Sequence, residues 1–221
     1  MISRAFWAVV AVLAGAAFVV GVGYVLHQRP APVLAATALA GSNPHHVYLH
    51  LSTYPDSLAG EHGEGGGPDP DWVSYGPSTT LQVPRDSLVT VTIDQYDSGD
   101  AITNPWFAAV HGTVGGTETV DGKTVTKVNP LAIGHTFTLH AAPTAQDPLF
   151  VSVPLPAQSD DAPAAKGSNY PSPIQVTFSF RTKGPGKYVW NCEFPCGDGY
   201  YAKFGGPMST RGYMSGTLTV V

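Results

Sequence analysis

The sequence predicts an antiparallel β-sandwich or barrel preceded by one membrane-spanning helix. After an apolar N-terminal segment, eight short runs alternate apolar and polar residues with a period of two. The 221 residues include 25 glycines and 20 prolines, which suit many tight turns between short strands. No long helical period follows the first apolar segment, so the fold class is all-β.

The first element is an uncharged apolar run of 22 residues, from Ala5 to Leu26. It exceeds the roughly 18 apolar residues that indicate a membrane-spanning helix. Residues 1–29 are therefore predicted to be an N-terminal membrane anchor. The alternative is a cleaved signal peptide with its cleavage site at 38–40, although the run is longer than the usual ~7–15-residue signal core. Both interpretations predict export, and the anchor predicts a single-pass cell-membrane protein whose soluble domain is extracytoplasmic.

The remaining chain is interpreted as a linker over residues 30–44 and a β domain over residues 45–221. The linker is small, uncharged and flanked by prolines. An acidic, glycine-rich loop at 56–71 matches no known cation-binding loop and is expected to be solvated. The predicted strands are 45–52, 78–84, 88–96, 135–141, 149–155, 174–182, 187–192 and 214–221.

Charge and motifs exclude several functions. The net charge is −5 and no lysine or arginine cluster exists, so a nucleic-acid footprint is absent from the sequence. There is no phosphate-cradling glycine motif and no G-x-S-x-G element. The protein is therefore not expected to be an enzyme by itself. If it acts in catalysis, it should do so as an electron-transfer subunit of an oxidase.

His135 is the first candidate for a functional side chain. In the predicted strand it shares a face with Phe137 and Leu139, which should point inward. A buried imidazole needs a partner for its ring nitrogens. That partner is either a backbone carbonyl group or a metal ion, for which neutral imidazole is a common ligand.

The sulfur atoms of the C-terminal region suggest which metal. Cys192 ends a predicted strand, Cys196 follows four residues later, and Met214 opens the next strand, with Met208 as an alternative thioether. Strand ends meet at one pole of a sandwich. Imidazole, thiolate and a weak thioether form the ligand set of copper sites, which makes copper the expected cofactor.

Four stretches carry a resemblance to a known family. They are "AIGHTFTLHA", "FVSVPLP", "GKYVWNCEFPCG" and "GYMSGTLTVV". Over about residues 78–221 the chain resembles the cupredoxins, in particular the copper domain of cytochrome c oxidase subunit II and its single-domain exported relatives. The resemblance implies a Greek-key sandwich and metal ligands at His135, Cys192, Cys196 and Met214. It also implies a redox partner protein or an oxidase complex as partner.

One position departs from the resemblance. The oxidase copper site has a second histidine three residues before the closing methionine, and here that residue is Arg211, whose guanidinium cannot ligate a metal. His140 should face away from His135. Three possibilities remain open: a mononuclear sulfur-rich copper site, an altered dinuclear centre in an oxidase subunit, and a Cys192–Cys196 disulfide in a metal-free structural or assembly module.

Overall fold

The protein is described by a computed structural model over residues 4–27, 32–41, 43–55, 72–99, 103–142, 146–194, 196 and 206–221. The chain divides into two compact units, residues 1–31 and residues 32–221. The predicted acidic loop at 56–71 lies outside the described residues.

The first unit contains helix α1, Arg4–His27. Its 24 residues span about 36 Å at 1.5 Å per residue, against a bilayer core of about 30 Å. The segment Phe6–Tyr24 is long and apolar enough to cross a membrane. An N-terminal signal sequence would have the same properties, so the helix is consistent with both predicted roles.

The second unit is a sandwich of two sheets. The first sheet has the order β1-β5-β13-β12-β9-β10. The second has the order β2-β3-β6-β11-β7-β8, with β4 also paired to β3. The strands are β1 (Val33–Ala35), β2 (Thr37–Ala38), β3 (His46–Tyr54), β4 (Ser74–Gly76), β5 (Thr80–Val83), β6 (Leu88–Gln95), β7 (Glu118–Val120), β8 (Lys123–Val125), β9 (Ile133–Ala141), β10 (Phe150–Pro156), β11 (Ile174–Arg181), β12 (Gly186–Asn191) and β13 (Ser215–Val220). A short helix, α2 (Gly206–Ser209), precedes β13.

The predicted fold class, an all-β sandwich behind one apolar helix, is confirmed, and all eight predicted strands are present. The predicted antiparallel pairing was wrong. The sheets are mixed rather than antiparallel, because β1 and β13 both pair with β5 in parallel and β3 pairs with β6 in parallel. The predicted linker also contains two edge strands, β1 and β2, which pair with β5 and β3. The compact unit accordingly begins at Pro32 rather than at residue 45.

The core lies between the sheets and follows the alternation of the strands. In β6, every second side chain from Val89 is buried. Trp190 of β12 lies in the core, stacked on Phe137 with ring centroids 5.0 Å apart. Its indole N–H donates to the carbonyl of Thr79 across 3.1 Å. This buried hydrogen bond fixes β12 against the segment that leads into β5.

The ends of several strands meet at one pole of the sandwich. β9 pairs antiparallel with β12, and β12 pairs antiparallel with β13, so Asn191 lies opposite both Thr138 and Ser215. The residues that follow β12 therefore lie near the beginning of β9 and of β13. This topology positions the candidate site.

Candidate metal centre

Three side chains meet at this pole: His135, Cys192 and Cys196. Their potential ligand atoms all lie within 4.8 Å of one another, and all three residues are buried. Nδ1 of His135 lies 3.0 Å from the sulfur of Cys196 and 3.8 Å from the sulfur of Cys192. The two sulfurs are 3.0 Å apart. Among the described residues, this is the one group of at least three histidine, cysteine or acidic side chains with such spacing.

Hydrogen bonds between β9 and the end of β12 hold Cys192 in place. The backbone N–H of Thr136 points at its sulfur, with an N···S distance of 3.3 Å. The amide of Glu193 donates to the hydroxyl oxygen of Thr136 across 2.9 Å. The amide of Cys192 donates to the carbonyl of Met214 across 2.9 Å. Cys192 is thus fixed by neighbours on both sides of its strand.

A backbone oxygen also faces the two sulfurs. The carbonyl of Phe194 lies 3.1 Å from the sulfur of Cys192 and 2.8 Å from that of Cys196. Phe194 is itself fully buried, and its ring contacts Phe107 edge to face at 6.2 Å. The turn between the cysteines therefore brings two sulfurs and one oxygen together.

Asp97 lies on the other side of the imidazole. Its Oδ2 is 2.6 Å from Nε2 of His135. Asp97 was not predicted from the sequence, although its odd-numbered position continues the alternation of β6. Val89, Val91 and Ile93 face inward, and Gln95 and Asp97 continue the same odd-numbered series with polar side chains. A polar residue on a core-facing series needs a buried partner, which here is the imidazole.

The charges of these groups shift one another's pKa values. Burial on its own would lower the pKa of His135, but the Asp97 carboxylate and the Cys192 thiolate raise it to about 9. For Cys192, burial on its own would raise the pKa of the thiol. Hydrogen bonds from Cys196 and His135 and the charge of His135 instead bring this pKa well below its ordinary value. The pKa of Asp97 is lowered too, because His135 and the amides of Ser98 and Gly99 outweigh its burial. The site therefore favours thiolate at Cys192 and carboxylate at Asp97.

The other predicted ligands occupy different places. Met214 is fully buried next to the site and its carbonyl binds the amide of Cys192. Met208 is partly buried in α2. Arg211 is exposed, and its guanidinium donates to the hydroxyl of Thr217 at 3.2 Å. His140 lies away from His135, with its Nε2 3.1 Å from Oδ1 of Asn191.

The two cysteines form no disulfide bond with each other in this structure. Their sulfur separation of 3.0 Å exceeds a disulfide bond of about 2.05 Å. It is shorter than the roughly 3.8 Å expected between two sulfurs that each lie ~2.3 Å from one tetrahedral metal ion, so the sulfurs would move apart on binding one. Two sulfurs, one imidazole nitrogen and one carbonyl oxygen are nevertheless a set of donor atoms that suits a thiophilic metal ion.

No protein-family model and no curated protein sequence matches the chain. Among solved structures, auracyanin B is similar with a TM-score of 0.36 and 15% identity, over 85% of this chain and 96% of the other. A Cu-containing nitrite reductase from Thermus scotoductus has a TM-score of 0.34 and 13% identity, over 86% of this chain and 28% of the other. A multicopper oxidase has a TM-score of 0.31 and 11% identity, over 80% and 44%.

Proposed function

We propose that the protein is a membrane-anchored, cupredoxin-like protein that binds one copper ion and transfers electrons. His135 would supply the imidazole through Nδ1, and Cys192 and Cys196 would supply thiolates. Met214 would supply a weak thioether. When bound, the ion would supply one-electron redox chemistry, while the chain excludes water and fixes the ligands.

The proposal depends mainly on one observation. The ligand atoms of His135, Cys192 and Cys196 converge within 4.8 Å, and all three side chains are buried at one end of the sandwich. Soft thiolate ligands select Cu(I) and other thiophilic ions over hard cations. The hydrogen bonds to Cys192 hold this ligand in place without a metal, which suits an electron-transfer site that must change little in geometry.

The cellular setting follows from α1. We propose that this helix stays in the membrane and that the copper domain is extracytoplasmic. The partner would then be a protein that exchanges single electrons, and the resemblance noted in the sequence makes an oxidase complex one candidate. A haem spectrum in the fraction that co-purifies with the full-length protein would support that partner.

The copper site can be tested on the full-length protein in detergent. Free thiols are titrated first, and Cu(II) is then added while the visible spectrum is recorded. We expect two free thiols per chain and a thiolate-to-copper charge-transfer band. Cys192→Ser should abolish the band, whereas Met208→Leu should leave it in place.

Two outcomes would overturn the assignment. The first is a protein that is isolated with its cysteines oxidised and that binds no copper after they are reduced. This outcome would favour the metal-free structural module. Tight binding of Zn(II) with no retention of copper would reassign the centre to zinc, since two thiolates, one imidazole and a further oxygen also suit that ion.

A further inference from the structure

Two of the strand-borne histidines form pairs with aspartates at or just after β6, and the pairs differ in burial. His50 and Asp94 lie on the outer face of the second sheet, with Nε2 2.8 Å from Oδ2 and the histidine side chain 63% exposed. His135 and Asp97 lie inside, at 2.6 Å, with side-chain exposures of 1% and 10%. The inner pair has lost most of its contact with water, and the carboxylate of Asp97 takes the place of water at Nε2 of His135.

We propose that Asp97 is the positioning residue of the metal centre: its carboxylate holds the Nε2 proton of His135 and thereby leaves Nδ1 as the nitrogen that binds the metal. This role rests on the proposed copper site. It also assigns a task to a residue that contacts none of the sulfurs.

The imidazole ring has two nitrogens, and only one of them faces the sulfurs. Nδ1 lies 3.0 Å from the sulfur of Cys196, while Nε2 lies against Asp97. A carboxylate can only accept a hydrogen bond, so Nε2 must carry a proton. In a neutral ring, the lone pair then resides on Nδ1. The carboxylate also raises the basicity of the ring and fixes its rotation about Cβ–Cγ.

The backbone of Asp97 is itself anchored. Its carbonyl accepts hydrogen bonds from Nε2 of Gln95 at 3.1 Å and from the amide of Gln158 at 3.0 Å. The oxygen Oε1 of Gln95 in turn accepts the hydroxyl proton of Thr53. Gln95 and Thr53 are fully buried, so a chain of buried hydrogen bonds runs from β3 through β6 to the imidazole. This chain holds the carboxylate where the ring needs it.

The test compares Asp97→Ala and Asp97→Asn with the matched control Asp94→Asn, which alters the outer pair. In the reduced, metal-free, ¹⁵N-labelled full-length protein, we expect a slowly exchanging Nε2 proton of His135. Asp97→Ala should lose it, Asp97→Asn should keep it because the amide oxygen still accepts, and Asp94→Asn should leave it unchanged. With Cu(I) bound, the ¹⁵N chemical shifts of His135 should show the metal on Nδ1 in the wild type. In Asp97→Ala they should show a mixture of Nδ1-bound and Nε2-bound metal.

Copper affinity provides the second measurement, made by competition with a chromophoric Cu(I) chelator. We expect Asp97→Ala to weaken binding by about 10- to 100-fold, the usual effect of losing a partner of a ligating histidine. Asp94→Asn should change it by less than about twofold. The proposal would be overturned if Asp97→Ala kept both the wild-type copper affinity and metal binding through Nδ1. It would also be overturned if Asp97→Ala and Asp94→Asn lost copper affinity equally. If the wild type binds no copper, the proposed function fails, while the metal-free proton measurement still decides whether Asp97 fixes the ring.

Discussion

The backbone N–H of Thr136 donates to the sulfur of Cys192 across 3.3 Å, and the side chain of the same threonine accepts the amide of Glu193 across 2.9 Å. One residue of β9 therefore fixes both the sulfur of Cys192 and the chain that follows it. Because Thr136 is the neighbour of His135, the imidazole and the thiolate are held by a common piece of backbone.

Replacing Thr136 with valine tests the second of these contacts. Valine keeps the backbone N–H and nearly the same volume but removes the oxygen that accepts from the partly buried amide of Glu193 and from the buried hydroxyl of Thr138. We expect a loss of about 1–3 kcal/mol in the free energy of unfolding, the usual cost of an unsatisfied buried donor. Urea unfolding would measure it. Thr136→Ser keeps the acceptor oxygen and should lose less, so an equal or larger loss in the serine variant would contradict this account.

Arg211 occupies the position at which the resemblance noted in the sequence implies a second histidine, and it is exposed. Its guanidinium binds Thr217 on the exposed side of β13. We therefore expect Arg211→His to leave the stoichiometry at one copper per chain. Metal analysis after gel filtration, with protein concentration from amino-acid analysis, would measure the ratio. Two coppers per chain in the wild type would instead support a dinuclear centre.

Glu118 should make stability depend on pH. It is 1% exposed, and its carboxylate oxygens lack a hydrogen-bond partner within the described part of the chain. Burial raises the pKa of Glu118 from 4.5 to about 8. The folded protein then binds more protons than the unfolded chain between these values, so stability falls as pH rises from about 4.5 to 8.

Glu118→Gln removes the titrating group and should flatten this part of the profile. We expect the free energy of unfolding of the variant, relative to that of the wild type, to increase with pH by at most about 1.4 kcal/mol per pH unit. Unfolding midpoints in urea at pH 5, 6.5 and 8 would show it. Glu193→Gln changes a carboxylate that is 39% exposed and serves as the control. Parallel profiles for Glu118→Gln and the wild type would refute this prediction.

Gly216 permits the close approach of β13 to the segment before β5. A Cβ atom at this position would lie 1.9 Å from the carbonyl oxygen of Thr79, which also accepts hydrogen bonds from Thr217 and Trp190. We expect Gly216→Ala to destabilise the protein by about 1–3 kcal/mol, the usual cost of overpacking, as measured by urea unfolding. Gly15→Ala, in α1 with nothing within 4 Å, should have little effect.

The main strands could be predicted because apolar and polar residues alternate along them, or because turn residues bound them. β1, β2, β4, β7 and β8 have only two or three residues each, which is too short for a period to be read. β1 pairs with β5, which is distant in sequence, whereas β7 and β8 pair with each other in a local hairpin. The parallel pairs were missed because strand order is a property of the whole sandwich.

The candidate site was predicted in part. His135 stood out as a polar residue on an apolar face, and the two cysteines stood out by their chemistry. Asp97 continues the core-facing odd-numbered series just beyond the end of β6, so the sequence could indicate burial but not the partner of its carboxylate. Its partnership with His135 depends on which ends of the two sheets meet, and that requires the tertiary structure.

The position of β13 has a consequence for the order of events during biosynthesis. β13 lies between β5 and β12 in the first sheet, although it follows all the other described strands in sequence. During synthesis from the N-terminus, β5 and β12 therefore each keep an unpaired edge until β13 has been synthesised. Such long-range pairing is slow. The carbonyl of Met214 that binds Cys192 arrives at the same time. During that interval both thiols are accessible to oxidants and to metal ions, so the compartment in which the nascent chain waits decides what they meet first.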